Sequence, residues 1–260
     1  MAAIDGGGIA ERIIVDLAAR PKPAGSLAVV MIGGTDASRA FVARKRAVAE
    51  RLGISFRLHE LAADASRADA ENILRELSRD IFVSGIVLQL PLPSGFDRDI
   101  LISFIDPKKD IDNLTGMAPF ESPAVGTVRA ILADQGCVIR DFKTIVLVGQ
   151  GFLVGGPIGA WLRNEGILYE VVDIDTEDPQ AIMSRADLVI SGVGKTGVVD
   201  PATLPDGAAL IDFGVPPDAD QDALKADEAR LRFHTLTPGG TGPILVAMLF
   251  KNLYGFRGDH

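Results

Sequence analysis

Three polar residues stand in otherwise apolar or turn-forming surroundings. Lys45 falls at helical spacing on one face with Phe41, Val48 and Leu52, within the run from Asp36 to Leu52. A lysine on a half-buried face loses hydration, and its pKa falls toward the range useful for acid–base work. A lysine lying along the core edge with its ammonium in water gives the same spacing. Gln89 interrupts the apolar stretch from Gly85 to Leu90. An unpaired buried amide is costly, so this one bonds either a backbone group or a ligand. Asp110 and Asp112 are two apart in Lys108-Lys109-Asp110-Ile111-Asp112-Asn113. Carboxylates so placed either receive a donor-rich ligand or form ordinary solvated loop surface.

A fourth feature suits an anion. Ile145 to Val148 runs into Gly149-Gln150-Gly151, and Val154-Gly155-Gly156-Pro157 opens an apolar helix-like segment. A strand, a glycine turn and a helix N-terminus together cradle a pyrophosphate: glycine permits positive φ, bare backbone admits the phosphate oxygens, and the helix dipole favours the charge. The spacing is G-x-G-x-x-x-G rather than the commoner G-x-G-x-x-G. Tyr169 to Asp173 reads as the next strand, ending in an acid, which favours a dinucleotide site over a plain strand-turn-helix corner.

The elements that must position these groups alternate along the chain. Strands are expected at Ser26–Ile32, Ser55–Leu61, Gly85–Leu90, Ile145–Val148, Tyr169–Asp173, Leu188–Ser191 and Ala208–Phe213. Helices are expected near the N-terminus and at Asp36–Leu52, Ser66–Arg79, Thr127–Asp134, Pro179–Arg185 and Ile244–Tyr254, with Asp36 or Ser38 capping the second. Lys108 to Asn113 reads as a polar loop, and Leu236 to Pro243 as a rigid turn cluster. The alternation predicts an α/β fold of two domains with parallel sheets, the second Rossmann-like. Ligands in such sheets bind beyond the carboxyl ends of the strands, so the expected active site is a cleft between the two halves. Residues 1–120 form the expected first domain and 121–242 the dinucleotide-binding domain, with a closing helix after it.

Composition narrows the partners. The 260 residues carry a net charge of −9, which argues against nucleic acid as a partner. No apolar run approaches the roughly 20 residues that span a bilayer, and the opening residues read as an amphipathic helix rather than a signal peptide. The single cysteine, Cys137, fits a reducing cytoplasm and reads as a small buried residue. His59, His234 and His260 lack metal-ligand spacing, so no metal is expected.

Four segments together resemble one family. Ser38-Arg39-Ala40-Phe41-Val42-Ala43-Arg44-Lys45, Val87-Leu88-Gln89-Leu90-Pro91-Leu92-Pro93, Lys109-Asp110-Ile111-Asp112 and Thr237-Pro238-Gly239-Gly240-Thr241-Gly242-Pro243 are similar to signatures of the methylenetetrahydrofolate dehydrogenase/cyclohydrolase (FolD) family. The resemblance runs in order from about Leu27 to Tyr254, and it implies that residues 1–120 are the catalytic domain and that a C-terminal helix at 243–260 packs back on it. It implies oxidation of 5,10-methylenetetrahydrofolate by NAD(P) to the methenyl cation, then hydrolysis to 10-formyltetrahydrofolate, by a homodimer. It also implies roles: Lys45 assists proton transfer in the water step, Gln89 orients Lys45, and Asp112 receives the amino-pyrimidine edge of the pterin. Phe41, Leu90, Pro91, Pro238, Gly239 and Gly240 would line the substrate pocket. Gly149, Gln150, Gly151, Val154, Gly155, Asp173, Thr176 and Val215 would contact the dinucleotide.

Three departures shape the expectation. Phe41 stands where the family usually has tyrosine, which removes a hydroxyl from the proton network and makes a dehydrogenase-only enzyme the alternative. Asn113 replaces a usual glycine, and Leu114 to Gly126 is shorter than usual. Gln150-Gly151 replaces a common Arg-Ser, and Asp173-Ile174-Asp175 ends the next strand. A carboxylate there bonds ribose hydroxyls and repels a 2′-phosphate, which predicts NAD over NADP. A non-catalytic folate- or nucleotide-binding protein is a further alternative, and the presence of Lys45, Gln89 and Asp112 weighs against it.

Overall fold

Buried runs of β-branched residues become parallel strands, and the amphipathic runs between them become helices. The computed structural model describes residues 3–226 and 229–256, and His260 lies outside them. The chain divides into two compact units, Glu11–Pro123 with Val246–His260 and Met1–Ala10 with Ala124–Leu245. The division falls inside helices α1 (Gly6–Ala18) and α9 (Thr241–Gly255), so each serves both units.

The first unit holds β1 (Ser26–Ile32), α2 (Asp36–Leu52), β2 (Phe56–Leu61), α3 (Arg67–Arg79), β3 (Val83–Gln89) and α4 (Arg98–Ile102). Its sheet has the order β2-β1-β3, all parallel. Strands β1 and β3 are buried throughout, whereas edge strand β2 is mostly half-buried. From β1 the chain goes first to one side and then to the other, so the switch point lies between β1 and β3. Gln89 pairs with Met31 at that end of the sheet.

Helix α2 is capped by Thr35, not by Asp36 or Ser38. The Thr35 hydroxyl accepts from Ser38 N at 3.2 Å, and Ser38 Oγ accepts from Thr35 N at 2.8 Å. This reciprocal pair satisfies two backbone donors at once, which no single cap achieves. The buried face is also turned from the expected one: it carries Ser38, Val42, Lys45, Ala49 and Leu52, with Phe41 and Val48 half-buried beside it. Lys45 therefore lies on the buried stripe itself.

After Met1–Ala10 the second unit resumes at Ala124, inside α5 (Pro123–Asp134), whose proline occupies the helix start, where a missing N–H costs nothing. It continues with β4 (Ile145–Val148), α6 (Gly155–Asn164), β5 (Glu170–Val172), α7 (Pro179–Met183), β6 (Leu188–Ser191), β7 (Ala209–Asp212), α8 (Gln221–Ala226) and β8 (Phe233–His234). The sheet order is β5-β4-β6-β7-β8, all parallel. Val146, Val148, Val189 and Leu210 from three of its strands pack with Met183 and Leu224 in one core cluster. Its switch point lies between β4 and β6, where the glycine turn leaves β4. Among the described residues no helix is long and apolar enough to cross a membrane.

Candidate active site

Within the first unit the fold brings an ammonium, an amide and a carboxyl group together. Lys45 projects from the buried face of α2 and is only 6% exposed. Its Nζ donates to Gln89 Oε1 at 2.7 Å. The Gln89 Nε2 donates in turn to the Leu90 carbonyl at 2.7 Å. An ammonium only donates and a carbonyl only accepts, so these two bonds fix which way round the amide lies. Gln89 is thereby satisfied inside an apolar strand, and Lys45 does not reach past the core edge into water. The Leu90–Pro91 peptide that follows is cis.

Asp112 completes the group. Its residue is half-buried, and its carboxyl is pushed up to about 6. Burial is the main cause and the neighbouring Asp110 charge adds to it, while the Lys45 ammonium opposes both. Burial likewise lowers the Lys45 pKa, against the pull of the Asp112 charge. Each group is thus driven toward its neutral form by burial and held charged by the other. A lysine whose pKa is lowered and a carboxyl whose pKa is raised are each brought closer to the range in which a side chain takes and returns a proton. Phe41 sits one helical turn before Lys45, half-buried, with the Arg44 guanidinium 5.3 Å from its ring centroid.

The second unit carries the glycine turn. Gly149 has φ +80°, a left-handed value that a side chain would strain, and its N–H donates to Val172 O at 2.8 Å. A Cβ on Gly155 would lie 2.0 Å from the Gly149 carbonyl, so only glycine lets the start of α6 close on the turn. Gly156 N then bonds Gly151 O at 2.9 Å. The residue capping α6 is Val154, which offers no side-chain cap. With Gly156 N given to Gly151 O and no N–H on Pro157, Gly155 N is the first-turn donor left for an incoming anion, and with the bare glycine backbone and the helix dipole it fits a dinucleotide pyrophosphate.

Asp173 is exposed just past β5. Its carboxylate accepts from the Thr176 hydroxyl at 3.0 Å and from Asp175 N at 3.1 Å, and Thr176 Oγ1 accepts from Asp173 N at 2.9 Å. Asp173 and Thr176 therefore form one small turn. Val215 is 58% exposed and is followed by a cis peptide to Pro216. Gln150 lies exposed in the turn after β4. Pro238, Gly239 and Gly240 belong to this unit as well, after a cis Thr237–Pro238 peptide, and Gly240 N bonds Leu236 O at 2.8 Å.

Two pairs of charged residues carry more than their spacing suggests. Lys109 and Asp110, expected in a polar loop, are buried. In the second unit Asp212 and Asp218 are both fully buried. Asp218 accepts from Val193 N and Lys195 N, each at 2.8 Å, and so folds the loop after β6. Asp212 accepts from Gly214 N, Asp218 N and Ala219 N at 2.7–3.0 Å, yet burial still pushes its carboxyl up to about 6. The usable signal for Asp212 is an acid at the end of an apolar strand; Asp218 offers none.

Comparison with known proteins places the chain in a family. Residues 4–112 match the family model of the tetrahydrofolate dehydrogenase/cyclohydrolase catalytic domain, and residues 123–257 that of the NAD(P)-binding domain of the same family. The chain is 31% identical over 244 residues to the bifunctional protein FolD of Agathobacter rectalis, covering 88% of this chain and 86% of that protein. It is 32% identical over 273 residues to the bifunctional protein FolD 2 of Pseudomonas savastanoi pv. phaseolicola, covering 96% and 90%. The Trypanosoma brucei methylenetetrahydrofolate dehydrogenase-cyclohydrolase, solved with NADP and an inhibitor, superimposes with a TM-score of 0.88 at 28% identity, over 96% of this chain and 95% of that one. With both halves matched in order, the chain belongs to the tetrahydrofolate dehydrogenase/cyclohydrolase family.

Proposed function

We propose that the protein oxidises 5,10-methylenetetrahydrofolate to the methenyl form with NAD(P) and hydrolyses that to 10-formyltetrahydrofolate. The observation that carries this reading is the 2.7 Å bond from Lys45 Nζ to Gln89 Oε1 in electrostatic contact with Asp112. The nicotinamide, when bound, supplies the hydride acceptor. Asp112 receives the donors of the amino-pyrimidine edge and so orients the pterin. In the hydrolytic step water adds to the methenyl carbon, and Lys45 in its amine form takes the proton that water gives up; the carbon–N5 bond then breaks as that proton passes to N5, and the hydroxyl proton leaves to solvent as the formyl group forms on N10. Gln89 holds the Lys45 nitrogen in place for that transfer. Cys137 and the acidic charge balance support a cytoplasmic enzyme, and the family resemblance supports a homodimer.

We read the cofactor preference as NAD. Asp173 places a carboxylate beyond β5, with Asp175, Glu177 and Asp178 close in sequence. A 2′-phosphate brought there meets like charge, which costs several kcal/mol at a close interface. An absorbance assay on methylenetetrahydrofolate with each cofactor tests both readings. The expected result is methenyl product that then decays faster than it does without enzyme, and a kcat/KM at least about tenfold higher with NAD. Methenyl that accumulates without accelerated decay removes the hydrolytic step. A clear NADP advantage removes the Asp173 argument.

The Asp112 carboxyl also sets a pH dependence. Its pKa is raised to about 6, so the carboxylate dominates above that pH and the neutral acid below it. The neutral acid offers a donor where the pterin needs an acceptor. The KM for folate is therefore expected to stay level above about pH 7 and to rise as pH falls through 6. A KM independent of pH from 7 to 5 would remove Asp112 from pterin recognition.

A further inference from the structure

The loop that carries Asp112 is anchored by the two charged residues before it. Lys109 is 7% exposed, and its Nζ donates to the carbonyls of Leu77 at 3.3 Å, Ser78 at 2.8 Å and Asp80 at 2.8 Å. These acceptors lie at the end of α3, where helix carbonyls lack intrahelical partners and the dipole favours a cation. Asp110 is fully buried; its Oδ1 accepts from Leu114 N at 3.0 Å and its Oδ2 from Thr115 N at 2.7 Å. Its backbone also bridges to Ile86 of β3. Ile111, next in line, is fully buried, and its carbonyl accepts from Asn252 Nδ2 of α9 at 2.8 Å. Asn113 follows at φ +53°, a left-handed value that asparagine tolerates better than most residues. Asp112 is the residue of this turn that is left to face Lys45.

We propose that Asp110 is the positioning residue of the site: by closing the turn from Asp110 to Thr115 it holds the Asp112 carboxyl beside Lys45. The proposal rests on the folate reading above. Removing the side chain frees two backbone donors inside a buried turn, so the turn reopens and Asp112 loses its aim. The Asp110 charge acts on the same carboxyl. Asp112 faces Lys45 from α2 and Asp110 from its own loop, and Asp110 pushes it up. Without that charge Asp112 ionises at lower pH.

The test compares Asp110→Asn, which keeps one acceptor and removes the charge, with Asp110→Ala, which removes both. Folate KM and kcat are measured against pH, with NAD(P) affinity and melting temperature recorded alongside. The expected KM is about tenfold higher in D110A and less raised in D110N, with kcat changed less than KM. In D110N the acid-side rise of KM moves to lower pH than in the parent, while NAD(P) affinity is unchanged. A D110A protein that keeps the parent's folate KM, or one that loses kcat and NAD(P) affinity along with folate binding, overturns the proposal, whether or not its melting temperature has fallen. Asp112→Asn separates this from the reading beneath it. If D112N binds folate as the parent does, the folate reading fails. If D112N loses folate while D110A keeps the parent's KM, only the positioning role fails.

Discussion

Lys45→Met lowers the enzyme-accelerated hydrolysis of methenyltetrahydrofolate by about 10²- to 10⁴-fold, the usual contribution of a positioned acid–base group. Methionine matches the lysine in length and suits a pocket where the side chain is 6% exposed, so the fold survives. The loss has two sources. The proton acceptor for water is gone, and Gln89 Oε1 loses the donor it holds at 2.7 Å. Lys45 is also the charge that pulls the Asp112 carboxyl down, so without it that carboxyl titrates still higher and folate binds less well at neutral pH. Oxidation, which needs alignment more than proton transfer, falls less than hydrolysis. The measurements are methenyl decay, NAD(P) reduction and NAD(P) affinity on one preparation. Affinity for NAD(P) stays at the parent's value, because the glycine turn belongs to the other unit. Undiminished hydrolysis would take Lys45 out of the mechanism.

Gly155→Ala has the opposite reach. Its added Cβ would lie 2.0 Å from the Gly149 carbonyl and 2.9 Å from the Gln150 Cα, with backbone on both sides and no flexible side chain to yield. Either α6 retreats from the turn or the turn opens. Both outcomes spoil the alignment of donors that a pyrophosphate needs. The expected loss of NAD(P) affinity is at least about a hundredfold, or about 2.7 kcal/mol. Melting temperature falls too, as overpacking at a rigid contact costs about 1–3 kcal/mol. Gly151→Ala is the control for stability, because its Cβ would only touch the Gly192 carbonyl at 3.7 Å. That variant keeps its melting temperature. An unchanged NAD(P) affinity in Gly155→Ala would show that the cradle does not hold the cofactor.

Much of the architecture was legible because it is local. Leu27 to Ile32 and Ile145 to Val148 are apolar without a break, as strands covered on both faces must be, and the strands Ser26–Ile32 and Ile145–Val148 form with the expected bounds. Not every short element was legible. α4 has 5 residues and β8 has 2, too few for any period to emerge. At the head of α2 three neighbouring residues could each cap, and the geometry chose Thr35 because Ser38 could answer it. The site was legible through family motifs far more than through spacing. Spacing alone left Lys45 undecided between core edge and catalysis, because its partner Gln89 is 44 residues away. Lys109 and Asp110 read as loop surface for the same reason: their partners are helix-end carbonyls some 30 residues earlier and amides that only a folded turn presents.

The missing cap at the head of α6 has a thermodynamic consequence. A polar side chain in place of Val154 would find no partner, since Gly156 N is given to Gly151 O and Pro157 has no N–H. Stabilising this helix end is left to the phosphate of the ligand. Resistance to unfolding then becomes a function of metabolite concentration: a dinucleotide at a hundred times its Kd adds about 2.7 kcal/mol. The same backbone groups that recognise the cofactor would let its supply regulate how long the protein lasts.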